Sequence, residues 1–223
     1  MQTKNKYFKT DDIVTYLAGA GCGKTTMLMQ ELQEMLKIYQ PEEIAFVSFS
    51  RKAAAEIRNR AELLGLEYSP ESFPYFRTLH SLCFMLNEYD NKGKTIIKKE
   101  DVEVFQKVTN LSFNIHERLE GNRSREAEGQ LFFDLYALER AMNKEPDNRL
   151  VFSRRRYDEF KELYQMFKEK ARVIDYHDCL TDYLKDGKAI SRIKVAFIDE
   201  AQDLTVQQWN VCFKAFANAK HIR

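Results

Sequence analysis

Ala18-Gly-Ala-Gly-Cys-Gly-Lys-Thr-Thr26 stands between the apolar run Ile13-Val-Thr-Tyr-Leu17 and the helix-like segment Met27-Leu-Met-Gln-Glu-Leu-Gln-Glu-Met-Leu36. This order predicts a strand, a glycine-rich turn and a helix. In such a turn the backbone N–H groups converge, the helix N-terminus adds partial positive charge, and a phosphate-sized anion fits between them. Glycines at 19, 21 and 23 permit positive φ and close approach of the anion to the backbone. Lys24 is placed to reach the β- and γ-phosphates, and Thr25 to hold Mg²⁺ through its hydroxyl. Ala18 stands where the strict form of the pattern has glycine. The reading is a P-loop in which Ala18, Gly19, Ala20, Gly21, Cys22, Gly23, Lys24, Thr25 and Thr26 bind a nucleoside triphosphate.

Downstream, Ile44-Ala-Phe-Val-Ser-Phe49 is an apolar run of strand length, so the first helix is expected to lie within a β-α-β unit. A helix is predicted to follow from Ser50, a candidate N-cap, through Arg60, its alanines favouring helix. Arg51 and Lys52 at that helix start oppose the helix dipole unless an anion sits there. A solvated amphipathic helix explains the same residues. Pro74-Tyr-Phe-Arg-Thr78 reads as a third short strand running into Leu79-His80-Ser81. Taken alone, a histidine in that position is more often structural than functional.

From about Glu88 to Ile174 the pattern changes to long helices with few strand signals, notably Leu131–Met142 and Tyr157–Lys168. Arg149, Arg154, Arg155 and Arg156, interleaved with Phe152 and Tyr157, suit either a nucleic-acid grip or a solvated basic face whose aromatics pack inward. The sheet resumes at Lys194-Val-Ala-Phe-Ile-Asp-Glu-Ala-Gln-Asp203. An apolar strand ending in two acids places Asp199 at the carboxyl edge of the sheet, beside the P-loop. There Asp199 can hold Mg²⁺, and Glu200 can orient and deprotonate the water that attacks the γ-phosphate.

The composition is consistent with this α/β reading. The chain has 223 residues, 44% hydrophobic and 31% charged, enough for one large or two small domains. Its 35 Lys and Arg against 34 Asp and Glu leave a net charge of +1, so contact with nucleic acid would have to come from a local patch. Cys22, Cys83, Cys179 and Cys212 lack any C-x-x-C spacing and read as reduced thiols of a cytoplasmic protein. Neither a signal-peptide pattern nor an apolar run of about 18 residues is present, so no membrane partner is expected.

Five segments, in this order, resemble the N-terminal half of a UvrD/Rep-family superfamily 1 DNA helicase: the P-loop, Phe49-Ser-Arg-Lys-Ala-Ala-Ala-Glu56, Thr78-Leu-His-Ser81, Asp175-Tyr-His-Asp178 and Ile198-Asp-Glu-Ala-Gln-Asp203. The resemblance implies a RecA-like P-loop domain with a mainly parallel sheet between helices over residues 1–87 and 175–223. Residues 88–174 would be the helical insertion the family calls subdomain 1B. It implies ATP and Mg²⁺ as ligands and ATP-driven movement along single-stranded DNA, with 3′-to-5′ polarity. Carried over by position, Phe49, Ser50, Arg51 and Lys52 would contact single-stranded DNA, Thr78 and His80 its backbone, and Gln202 would link the γ-phosphate to the strand-binding surface, joining Lys24 and Glu200 in catalysis. The family's second RecA-like domain, with its arginine fingers, is expected beyond Arg223, so that this chain alone would not unwind DNA. A P-loop nucleotide kinase or small-molecule NTPase is the alternative, but it leaves the motifs at 49–56 and 78–81 without a purpose.

Overall fold

The computed structural model describes residues 8–10, 12–17, 22–48, 59, 69, 71–111, 113, 125–145 and 153–223. The chain divides into two compact units, one of Met1–Leu86, Tyr183–Leu204 and Gln208–Arg223, the other of Asn87–Asp182 and Thr205–Gln207.

The first unit is built on a parallel sheet. Its strands are β1 (Ile44–Ser48), β2 (Phe76–Thr78), β5 (Val195–Ile198) and β6 (His221–Ile222), in the spatial order β2-β1-β5-β6. Every residue of β1 and β5 is buried. That is the signature of a parallel strand covered on both faces, where apolar runs replace alternation. Phe46 sits at the centre, stacked on Phe197 of β5 at 5.2 Å and against Phe76 of β2 at 5.7 Å. Helix α1 (Lys24–Leu36) adds Leu28, Met29 and Leu32 to this core. Their spacing places them on one face of the helix.

Ile13–Leu17, expected as a full strand, pairs less than that. Ile13 forms a single parallel bridge to Ile222, and the Val14 amide donates to the Ile222 carbonyl at 3.0 Å. Its neighbour β6 is two residues long, which limits the ladder, and Leu17 is left 90% exposed. Side chains hold the segment instead. Arg223 donates through Nε to Glu31 at 2.8 Å and through Nη1 to Asp12 at 2.8 Å, while the Tyr16 hydroxyl donates to the other oxygen of Glu31.

The second unit is helical, with α3 (Lys99–Thr109), α4 (Arg125–Met142) and α5 (Arg154–Ala171). They enclose an aromatic core in which Phe105, Phe132, Phe160 and Tyr164 are essentially inaccessible. Phe160 and Tyr164, one helical turn apart on α5, stack at 5.8 Å and 10°. A two-residue parallel pair, β3 (Thr95–Ile96) with β4 (Val173–Ile174), closes one end. Strands this short leave no periodicity in the sequence. Among the described residues no helix is long and apolar enough to cross a membrane.

Two further helices connect to these elements, α2 (Leu79–Leu86) after β2 and α6 (Tyr176–Asp186) after β4, and α7 (Val206–Ala215) follows β5.

Candidate nucleotide and nucleic-acid sites

Helix α1 begins at Lys24, preceded by Gly23 at φ 79° and ψ 17°. A Cβ at Gly23 would meet nothing within 4 Å, so the demand for glycine there comes from the left-handed backbone and not from crowding. The first turn of α1 contains no acid, no side chain caps it, and Lys24 adds positive charge where the helix dipole is already positive. That arrangement is unfavourable for an isolated helix and favourable for one that receives an anion. Lys24 and Thr25 are half-buried, while Cys22 and Thr26 are exposed. Ala18, Gly19, Ala20 and Gly21 lie outside the described residues.

At the carboxyl end of β5, Asp199 is only 5% exposed, and its amide donates to the Val47 carbonyl at 2.9 Å. Glu200 follows at φ 51° and ψ 41°, a left-handed conformation that a residue with a Cβ adopts only at a cost. It opens the 3₁₀ turn Ala201–Asp203, closed by the Asp203 amide on the Glu200 carbonyl at 2.9 Å. Within the turn, Gln202 Nε2 donates to Glu200 Oε2.

Lys24, Asp199, Glu200 and Gln202 line one cavity of 440 Å³. Its wall is otherwise largely apolar, with Phe8, Leu28, Ile198 and Trp209 among its residues. A cation at a helix start, a buried carboxylate and two further polar groups on one cavity are the donor set that a magnesium nucleotide needs, and the residues fit that group. The sequence reading did not single out Phe8 or Trp209. An aromatic on this wall has the same local pattern as one in the core, and Trp209 also stacks on Phe213 at 5.3 Å.

Of the nucleic-acid candidates, Thr78 lies at the same edge of the sheet. Register places Thr78, the last residue of β2, beside Ser48, the last of β1, and Ile198 beside Val47. Thr78 Oγ1 accepts the Ser81 amide at 3.2 Å and so caps α2, in whose first turn His80 is half-buried. Phe49, Ser50, Arg51 and Lys52 lie outside the described residues.

The arginine-rich segment has acidic neighbours. Arg154 pairs with Glu145 and Asp158, each at 3.1 Å, and Arg156 with Glu128 at 2.7 Å. Tyr157 is fully buried and donates to Glu139 at 2.7 Å. In the described part of the segment, these contacts fit a basic face with Tyr157 packed inward. Arg149 and Phe152 lie outside the described residues.

Asp175 and Asp178 carry no ligand chemistry in this arrangement. Each backbone amide donates to the other's carboxylate at 2.9 Å, a reciprocal cap on the start of α6. Arg140, Lys168 and Tyr164 converge on the same carboxylates. Burial pushes the Asp175 carboxyl up, yet the charges of Arg140 and Lys168 outweigh it and hold the group well below the usual carboxylate range. Asp178 moves the other way, raised by burial and by the charge of Asp175.

Among known proteins, the chain is similar to the ATP-dependent DNA helicase Rep of Buchnera aphidicola subsp. Baizongia pistaciae (strain Bp), at 25% identity over 211 residues. The match covers 87% of this chain and 30% of the relative, so the chain spans less than a third of that protein's length. The P-loop sheet, the acids at the end of β5 and a family match that runs from residue 2 to residue 222 agree, and the chain belongs to the UvrD/REP helicase family, as its N-terminal domain.

Proposed function

We propose that this chain is the ATP-hydrolysing domain of a DNA helicase that moves along single-stranded DNA, with the 3′-to-5′ polarity its family resemblance implies. The observation that carries the reading is the convergence of Lys24, Asp199, Glu200 and Gln202 on one cavity at the carboxyl edge of a parallel sheet. The name of the Rep relative supports the helicase assignment.

In this reading the N-terminus of α1 and Lys24 bind the triphosphate. The Thr25 hydroxyl and the Asp199 carboxylate would hold Mg²⁺, which when bound neutralises charge on the β- and γ-phosphate oxygens. Glu200 orients the attacking water and accepts its proton. Phe49–Lys52, Thr78 at the carboxyl end of β2 and His80 in the first turn of α2 are the residues that contact the DNA strand in this reading. Binding the strand there sets nucleotide and nucleic acid on one sheet edge, so a shift in one turn is felt at the other. The arginine finger, which accelerates phosphoryl transfer by about 10³–10⁵, is assigned to a second RecA-like domain outside this chain.

Steady-state ATP hydrolysis tests the assignment, measured with and without single-stranded DNA for this chain and for a form that carries a second domain. The extended form is expected to be stimulated by DNA and the 223-residue chain to turn over slowly. Strong DNA-stimulated turnover by the chain alone would overturn the division of labour. Equal ATP affinity in the wild type and Lys24→Ala, by titration calorimetry, would overturn the nucleotide site.

A further inference from the structure

We propose that Gln202 is a positioning residue for Glu200. Its side-chain amide holds the carboxylate by one oxygen, so that the other is presented to the attacking water. The inference rests on the reading of this cavity as an ATP site, and it gives Gln202 a partner within the protein instead of a contact with the nucleotide.

Three observations carry it. Gln202 Nε2 donates to Glu200 Oε2, and both residues line the cavity that also contains Lys24 and Asp199. The Glu200 backbone is fixed at φ 51° and ψ 41° by the turn it opens, with the Asp203 amide on its carbonyl. A left-handed residue projects its side chain differently from its neighbours in the strand, and here the two-residue offset brings the Gln202 amide to the carboxylate. Glu200 is also only half-buried, so packing restricts its side chain less than it restricts a core residue. A carboxylate with three side-chain torsions on a half-exposed turn needs such a restraint to serve as a base with a fixed direction. An amide suits the role. It donates a hydrogen bond to the ionised carboxylate and brings no charge that would compete for the phosphates.

The contact can be read without turnover. In the 223-residue chain, the Gln202 side-chain amide resonances are expected to shift in Glu200→Ala and to remain in place in Lys24→Ala. Unchanged Gln202 resonances in Glu200→Ala would overturn the contact. Function is read in the full-length helicase. Gln202→Ala is expected to lower kcat about tenfold with KM unchanged, since orientation and not binding is lost. Affinities for ATP and ADP, followed by calorimetry, are expected to stay at their wild-type values. In a Glu200→Gln background, Gln202→Ala is expected to have no further effect on kcat, because the two side chains act as a unit. A selective loss of ATP over ADP affinity in Gln202→Ala, or an additive double mutant, would overturn the proposal in favour of a direct phosphate contact. If Lys24→Ala leaves ATP affinity intact, the ATP-site reading itself fails, whatever the resonances show.

Discussion

Arg140 grips Asp175 with both guanidinium arms, Nη1 3.0 Å from Oδ1 and Nη2 2.9 Å from Oδ2, in a site where neither side chain is more than 10% exposed. Lys168, 2% exposed, reaches Asp175 at 3.1 Å and both oxygens of Asp178 at 2.7 and 2.6 Å. Two cations and two anions thus balance inside the helical unit. They join α4, α5 and the start of α6 at one point. Buried pairs of this kind contribute little over a well-packed apolar replacement, but removing one member strands the other in a medium that cannot solvate it.

Arg140→Met is therefore expected to destabilise the helical unit by about 3–5 kcal/mol. Replacing Arg140, Lys168, Asp175 and Asp178 together by apolar residues of similar volume should cost much less, apart from the lost cap on α6. Urea denaturation followed by far-UV circular dichroism separates the cases. Equal losses for the single and the combined replacement would show that packing, and not charge balance, decides the stability of this unit.

The edge of the sheet has a smaller charge cluster with an acid-sensitive consequence. The side-chain hydrogen bonds of Arg223, with His221 adding a second for Asp12, hold the carboxyls of Asp12 and Glu31 below their usual values of 3.8 and 4.5. A lowered carboxyl stabilises the fold above its unfolded-state pKa, and that contribution is lost as pH falls through the folded value. The attachment of residues 12–16 to β6 is expected to be intact at pH 6 and to loosen as pH falls below 4.5 and the two carboxylates take up protons. Exchange protection of the Val14 amide, which donates to Ile222, reports it directly. Protection that falls equally in wild type and Arg223→Met over that range would remove the carboxylates from the explanation.

Much of the first unit was legible in the sequence because its determinants are local. The largely apolar segments at 44–48 and 195–198 became β1 and β5, since buried parallel strands need continuous apolar residues. The acids that end the second run had nowhere to go but the sheet edge. Less legible were features that depend on a distant partner. The charge balance of Arg140 with Asp175 joins residues 35 apart, and Arg223 with Glu31 joins residues 192 apart. The cap between Asp175 and Asp178 did leave a local signal, an acid three residues after another at a helix start. Ile13–Leu17 was read as a full strand because its own composition favours one, while the pairing it obtains is set by β6.

The arginines at the start of α5 are expected to matter little for DNA. Arg154 and Arg156 each have carboxylate partners, and an ion pair at the surface must be broken before a phosphate can use the cation. In the full-length protein, Arg154→Gln should change single-strand affinity by less than about 1 kcal/mol and leave its salt dependence near that of the wild type. Anisotropy titrations at several salt concentrations make the comparison. A salt slope reduced by about one would mean that Arg154 neutralises a phosphate after all.

Glu200 offers the sharpest separation of stability from chemistry. Its left-handed backbone, φ 51° and ψ 41°, is one that glycine adopts freely and a residue with a Cβ does not. Such a conformation costs about 1–3 kcal/mol and persists only where the surrounding structure imposes it, which here is the turn between β5 and α7. Glu200→Gly relieves that strain, but it also loosens the unfolded chain, and the two effects oppose each other. The net result is expected to be a stability equal to the wild type or higher by up to about 1 kcal/mol. Hydrolysis should nevertheless fall by about 10²–10⁴, the contribution of a positioned base. Trp209, the one tryptophan of this chain, lines the same cavity, and its fluorescence is expected to follow both unfolding of the first unit and the arrival of nucleotide. A variant that unfolds at clearly lower denaturant than the wild type would mean that the Glu200 side chain supports the turn. A variant that keeps its hydrolysis rate would mean that another group activates the water.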